Sequence, residues 1–146
     1  GYEEVEVLIT RFRAAQTKCQ NQYQSKIMLL QHTFVSKTED ELEHAAKLFS
    51  KFYSHFGAWF KNERPVDQAL MKKLSDDELK ALEMYSPAIM KNNLAIGNSM
   101  EVIDRLKKYE ALGYDEFAYW IDSGMSFEMK KASLERFINE VMPAFH

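Results

Sequence analysis

Residues Leu94–Phe145 read LAIGNSMEVIDRLKKYEALGYDEFAYWIDSGMSFEMKKASLERFINEVMPAF, and this stretch decides the fold class. A short apolar strand over Leu94–Ile96 meets Gly97, and a polar residue then opens an amphipathic helix that ends before Gly113. A second strand follows over Phe117–Ile121, and a last amphipathic helix completes the stretch. Strands that alternate with helices predict an α/β fold.

The residues before this stretch continue the same alternation. Apolar residues at three- and four-residue steps from Val5 to about Tyr23 predict a first helix. The apolar run Ile27–Val35 is too short to favour a helix and predicts a strand buried on both faces, as in parallel sheets. A capping box that starts at Thr38 then predicts a long amphipathic helix through Phe56.

The stretch from Gly57 to Asn93 has the least regular pattern. Prolines follow Arg64 and Ser86, and a second capping box starts at Ser75. A connection of this length is unusual between elements of one sheet. We therefore interpret residues 57–93 as a helical insertion within a single domain that spans residues 1–146.

Composition excludes several classes of function. The chain has 146 residues, of which 46% are hydrophobic and 28% charged, as expected of one globular domain. The net charge of -3 argues against a nucleic-acid partner, and neither a signal peptide nor an apolar run of about 18 residues is present. We expect no membrane segment and a cytoplasmic protein. No spacing typical of metal ligands occurs, and the single cysteine, Cys19, predicts no internal disulfide.

Three motifs carry a resemblance to a known family. They are Gly97-Asn98-x-x-Glu101-Val102 after a strand, Leu112–Phe117 after a helix, and Val141-Met142-Pro143 at the end. Together they resemble the C-terminal part of the bacterial luciferase-like flavin monooxygenases, and the segment from Ile27 to Phe49 resembles an earlier strand and helix of the same family. Ser99 departs from the family, which usually has proline there.

The resemblance implies a fold, a cofactor and partners. The family closes a (β/α)8 TIM barrel of roughly 250 residues or more, so we expect this chain to be the C-terminal part of such a barrel and of a larger enzyme. It implies a monooxygenase that oxidises a small organic substrate with dioxygen and with reduced FMN supplied by a reductase. The family's flavin-phosphate ligands lie outside the segments matched here, so FMN binding by this chain alone should be weak or absent.

Five residues are candidates for a cofactor or substrate pocket. Gly97 and Asn98 open the helix after a strand, which favours a cap alone or a cap that also contacts flavin or substrate. Alternation places Trp120 and Asp122 toward the barrel axis at the carboxyl end of the last strand, where barrel enzymes have their active sites, although a core Trp and a capping Asp fit the pattern as well. His32 lies in a buried strand, as a hydrogen-bonded core residue or as a polar group near the pocket.

A different class of function also fits the sequence. Six aromatic residues follow one another at helical spacing on the long helix and just after it, and a stripe at this spacing is usually core. This aromatic stripe consists of Phe49, Phe52, Tyr53, Phe56, Trp59 and Phe60. The same stripe would suit a non-catalytic ligand-binding or interaction module that buries aromatic surface in a homo-oligomer. Self-association is expected under either reading, because part of a barrel exposes strand edges and the module would bury its aromatic surface against a second copy.

Overall fold

The computed structural model describes residues 1–19 and 25–145. The predicted end of the first helix near Tyr23 lies outside the described residues. The helices are α1 Tyr2–Lys18, α2 Glu39–Lys61, α3 Asp76–Ala81, α4 Pro87–Asn93, α5 Ser99–Ala111 and α6 Phe127–Arg136, followed by a π-helical turn over Phe137–Val141. The strands are β1 Met28–Val35, β2 Val66–Asp67, β3 Leu70–Met71, β4 Ala95–Gly97 and β5 Glu116–Trp120. Short 3-10 turns cover Glu83–Tyr85 and Met142–Phe145.

Three strands form a parallel sheet in the order β4-β1-β5. Thr33 of β1 is opposite Ala95 of β4, and His32 is opposite Trp120 of β5. The three predicted strands are confirmed, each within one residue of its predicted ends. The α/β class is confirmed as well, and a parallel sheet of this kind is consistent with part of a luciferase-like fold.

The barrel is not closed in the described residues. Neighbouring strands of a TIM barrel follow one another in sequence, but here β5 pairs with β1 and not with β4. The physical reason lies in β1, because its eight residues present backbone N–H and C=O groups along both edges, and these groups need hydrogen-bond partners. The three-residue β4 covers one edge near the carboxyl end, and β5 covers the other edge near the amino end.

Helices cover both faces of this sheet. On one face Phe34 and Ile96 pack against the buried side of α2, including Phe49, which has no exposed surface. On the other face Val35 packs with α5 and with Val141 of the π-helical turn. Burying a side chain of this size contributes about 1.5 to 3 kcal/mol, so Phe49→Ala should be among the more destabilising single changes.

The predicted insertion is helical only in part. Helix α2 continues to Lys61 and is ended by Asn62 in the left-handed conformation, with φ 52°. The antiparallel pair β2 and β3 follows, joined by Gln68 and Ala69 at φ 48° and 64°. This hairpin was not predicted, because its strands have two residues each and its turn lacks the Asn-Gly or Asp-Gly signal. The capping box of Ser75 is confirmed at the start of α3.

Helix α1 is fastened to the amino end of the sheet by one side chain. Arg13 donates to the Gly113 carbonyl oxygen at 2.7 Å and to the Asp115 carboxylate at 2.8 Å. Asp115 also accepts from the Ile27 amide at 2.7 Å, so it links α1, β1 and β5. These bonds from the Ile27 amide and from Arg13 lower the pKa of Asp115. Within residues 1–19 and 25–145, no helix is both long and apolar enough to cross a membrane.

Candidate functional site

His32 lies near the carboxyl end of β1, and its side chain is 1% exposed. Its ring stacks on Trp120 of β5, with the ring centroids 3.9 Å apart and the planes 16° from parallel. Phe49, Phe52 and Tyr53 of α2 make T-shaped contacts with the imidazole, with ring centroids 5.1 to 5.4 Å away. The aromatic stripe of α2 therefore meets the sheet at this histidine, which confirms the core reading for the amino-terminal part of the stripe.

Both ring nitrogens of His32 have hydrogen-bond partners. Nε2 lies 2.9 Å from the carbonyl oxygen of Asp122, and Nδ1 lies 2.7 Å from the hydroxyl of Tyr53. A carbonyl only accepts, so Nε2 carries the proton and Nδ1 accepts from the Tyr53 hydroxyl. Burial lowers the pKa of His32 and raises the pKa of Tyr53 to about 12, so both groups stay neutral near pH 7.

Trp120 and Asp122 lie at the carboxyl end of β5, as predicted, but their surroundings differ from the prediction. The opposite face of β5 contacts the helix layer through Tyr119, whose hydroxyl lies 2.7 Å from Ser133 of α6. Trp120 accordingly points to the other side of the sheet. That side is not a barrel interior here: the sheet is open, and the imidazole of His32 lies over the indole.

Asp122 follows the end of the strand and reaches solvent. Its carboxylate accepts from Lys130 Nζ at 2.8 Å, and its side chain is 73% exposed. The bond from Lys130 lowers the pKa of Asp122, so the carboxylate is ionised near neutral pH. The backbone carbonyl of Asp122 binds His32 while the side chain remains outside, so one residue joins the buried cluster to the surface of the loop.

Gly97 and Asn98 form the predicted cap of α5. The Asn98 side chain accepts from the Glu101 amide at 3.1 Å, and the Glu101 carboxylate accepts from the Asn98 amide at 2.8 Å. Gly97 is required by this cap, because a Cβ atom there would lie 2.9 Å from the Glu101 Cβ at a φ of 155°. Glu101 holds a negative charge over this helix end, which opposes the binding of a second anion.

The structure divides the five candidates into two groups. His32, Trp120 and Asp122 form one connected cluster, whereas Gly97 and Asn98 lie beyond the opposite edge of β1. Sequence reasoning did not single out Tyr53 as a partner of His32. Its signal was its place in the aromatic stripe, but nothing in that spacing showed that its hydroxyl meets a histidine 21 residues earlier.

These groups do not by themselves form a flavin pocket. The imidazole and the indole stack on each other, so the ring faces that contact each other are not available to stack on a flavin. The α5 amino terminus, which could bind a phosphate, is occupied by its own Glu101. In the part of the chain that the structure describes, no three His, Cys, Asp or Glu side chains are placed to hold a metal ion.

Comparison with known proteins places the chain in a family. The family model described as luciferase-like monooxygenase matches residues 2–116. The chain belongs to the luciferase-like monooxygenases. It is 56% identical over 145 residues to the oxygenase component of the flavin-dependent trigonelline monooxygenase of Acinetobacter baylyi. The aligned region covers 99% of this luciferase-like chain but only 40% of the length of that relative.

The comparison confirms the resemblance found from the motifs of the sequence. The matched region includes β1, the Thr38 cap of α2 and the Gly97-Asn98 cap, which are among the segments that carried that resemblance. In the structure the Thr38 cap is not a full capping box, because the Glu41 carboxylate accepts from the Lys37 amide and not from the Thr38 amide. It ends at Glu116, so β5 and the cluster at its carboxyl end lie at or beyond the limit of the family match. The similarity to the Acinetobacter protein extends the relationship across nearly the whole chain.

Proposed function

We propose that this chain is a portion of the oxygenase component of a flavin-dependent monooxygenase. The observation that supports this proposal best is the 56% identity to such a component over 99% of the chain. In the whole enzyme, reduced FMN from a reductase supplies the oxygen-activating chemistry, and a small organic substrate is oxidised. Trigonelline, named for the relative, is the first substrate to test.

The proposed contribution of this chain is a rigid wall at the carboxyl end of the strands. Buried His32, which contacts the half-buried Tyr53 and Trp120, holds the carbonyl of Asp122, and the Asp122 carboxylate is exposed. Active sites of barrel enzymes are built from loops at this end. We propose that Trp120 and Asp122 border the substrate or flavin, and that Gly97 and Asn98 shape the neighbouring loop.

A chimaera tests the proposal directly. The matching segment of the Acinetobacter oxygenase component is replaced by this chain, and trigonelline turnover is measured with reduced FMN and dioxygen. Turnover within about tenfold of the parent enzyme is expected, because the two chains are 56% identical over 145 residues. A folded chimaera without turnover on trigonelline or related N-heteroaromatic acids would contradict the proposal.

Two substitutions in the chimaera then test whether Trp120 and Asp122 border the substrate or flavin. Trp120→Ala and Asp122→Asn should lower kcat/KM more than they lower the melting temperature. Glu110→Gln is the matched control, because this exposed carboxylate on α5 lies at the amino end of the sheet. Unchanged kinetics in both test variants, with circular dichroism unchanged, would make the cluster purely structural.

The second candidate function is a non-catalytic module that binds a ligand or self-associates. It is favoured by the exposed aromatic end of α2, where Trp59 and Phe60 are 58% and 66% exposed. An inactive chimaera together with a colourless, self-associating chain would favour this candidate over the enzyme.

A further inference from the structure

The loop after β5 places one carboxylate and one ammonium group side by side at the carboxyl end of the strand. Gly124, at a φ of 77°, turns the chain from β5 toward α6. Lys130, near the start of α6, thereby comes back to Asp122, with Nζ 2.8 Å from Oδ1. The pair is formed within nine consecutive residues, so it does not depend on which strand lies beside β5. Barrel enzymes have their active sites at this end of the strands.

Asp122 is held in place by groups other than Lys130. Its backbone carbonyl oxygen accepts from His32 Nε2 at 2.9 Å, and His32 is buried. Lys130 is the main cause of the lowered pKa of Asp122, and the backbone amides of Gly124 and Ser123 add to it. These amides stay where they are when the lysine side chain moves. The carboxylate therefore keeps its position and its negative charge without Lys130.

The ion pair itself opens easily. The side chains of Asp122 and Lys130 are 73% and 26% exposed, and among the described residues Lys130 forms no other ion pair. Exposed pairs of this kind stabilise a protein little, because water competes for both charges. The lysine ammonium group sits on a flexible stem and can change partner. A charged ligand can therefore take the place of either member of the pair at little cost.

We propose that Asp122 and Lys130 determine substrate specificity by selecting a zwitterion: Asp122 faces the cationic nitrogen of the substrate, and Lys130 Nζ turns to bind its carboxylate. Each charge of the pair then exchanges its partner for the opposite charge of the substrate, and none is left unpaired. A ligand with a single charge would displace one member and leave it without a partner, which disfavours that ligand. This proposal rests on the proposed function, since the substrate is the one bound at that same site.

Trigonelline has the chemistry that the pair requires. Its ring carries a methylated, cationic nitrogen and a carboxylate. The methylated nitrogen has no hydrogen to donate, so its attraction to Asp122 is electrostatic alone. The carboxylate accepts charge-assisted hydrogen bonds from Lys130. Nicotinate keeps the carboxylate but has an uncharged ring nitrogen, and N-methylpyridinium keeps the cation but has no carboxylate. These three molecules therefore separate the two halves of the proposed recognition.

Calorimetric titration of the chimaera with the three molecules tests the proposal. Lys130→Met should weaken the binding of trigonelline and of nicotinate by about tenfold or more, because the charge-assisted bond is lost. It should not weaken the binding of N-methylpyridinium, because Asp122 loses a competing cation. Asp122→Asn should show the opposite preference: weaker binding of trigonelline and of N-methylpyridinium, and no loss for nicotinate. A loop that is merely distorted would bind all three molecules less well.

Two further variants serve as controls. Lys131→Met removes the next charge on α6, a 62% exposed lysine that lies 3.6 Å from Glu135, and it should leave all three affinities unchanged. Lys130→Arg keeps the positive charge and should recover most of the affinity for trigonelline and nicotinate. In turnover assays Lys130→Met should raise KM for trigonelline and leave kcat nearly unchanged, as expected for a group that binds substrate and transition state equally.

The titration does not require turnover, so this proposal and the proposed function fail separately. A chimaera that oxidises trigonelline, but in which Lys130→Met and Asp122→Asn weaken all three molecules alike or none of them, would overturn the proposal and leave the function intact. A folded chimaera without turnover that shows the two opposite preferences would support the proposal and contradict the function. A folded chimaera that binds none of the three molecules would overturn the proposal.

Discussion

Replacing Tyr53 by Phe isolates one hydrogen bond in the buried cluster. The change removes the hydroxyl that donates to His32 Nδ1 at 2.7 Å and keeps the ring that packs against the imidazole. His32 is 1% exposed, so water does not replace the lost donor, and Nδ1 becomes a buried acceptor without a partner. Leaving such a group unsatisfied costs about 1 to 3 kcal/mol. The free energy of unfolding, measured by urea titration at pH 7.5, should fall by that amount.

The matched control for this substitution is Tyr85→Phe. Tyr85 stacks on Tyr53 with ring centroids 6.3 Å apart, and among the described residues its hydroxyl forms no hydrogen bond. Its removal should change stability by less than about 0.5 kcal/mol. Nitrogen NMR of His32 adds a structural readout: the wild-type ring should show the Nε2-H tautomer, and Tyr53→Phe should weaken that preference. Equal stability of the two variants, or an Nδ1-H ring in the wild type, would refute the assigned bond directions.

Three further predictions concern stability. Gly113→Ala should cost about 1 kcal/mol in urea unfolding, because Gly113 has a φ of 94° with no atom near a new Cβ, so that only backbone strain acts. Gly97→Ala should cost more, because its Cβ would also displace Glu101 from the α5 cap; a smaller loss than that of Gly113→Ala would contradict this. The lowered pKa of His32 means that the unfolded chain binds its proton first. The stabilisation is therefore complete above about pH 6.5 and is lost as the pH falls toward the lower folded value, and this loss should be absent from unfolding curves of His32→Gln.

The helix caps and strand positions could be predicted because they depend on neighbours in sequence. Thr38, Ser75 and Asn98 each accept from the amide three residues later, so each cap is visible as a short motif. Strand β1 could be predicted because it is an apolar run bounded by polar residues. The position of Gly113 in a left-handed turn followed from its place after a helix.

The contacts of the candidate site join residues that are far apart in sequence, so only some of them could be predicted from the sequence. Sequence placed Trp120 and Asp122 at the carboxyl end of the last strand and His32 within a buried strand, and the structure shows these three residues in one cluster. The bond from Tyr53 depends on the rotation of α2 about its own axis over the sheet. The side chain of Asp122 turns outward because its carbonyl is already committed to His32 and Lys130 lies within reach.

Strand order could not be read from the alternation of β1, and the reason is physical. A barrel strand has helices on one face and a packed interior on the other, whereas a strand in an open sheet has helices on both, so β1 needs two apolar faces in either case. Backbone pairing does not distinguish them either, because any parallel strand of suitable length satisfies the edge of β1. Which strand pairs with the edge of β1 is therefore decided by which other strands are present to compete for it, and the pattern of β1 alone does not contain that information.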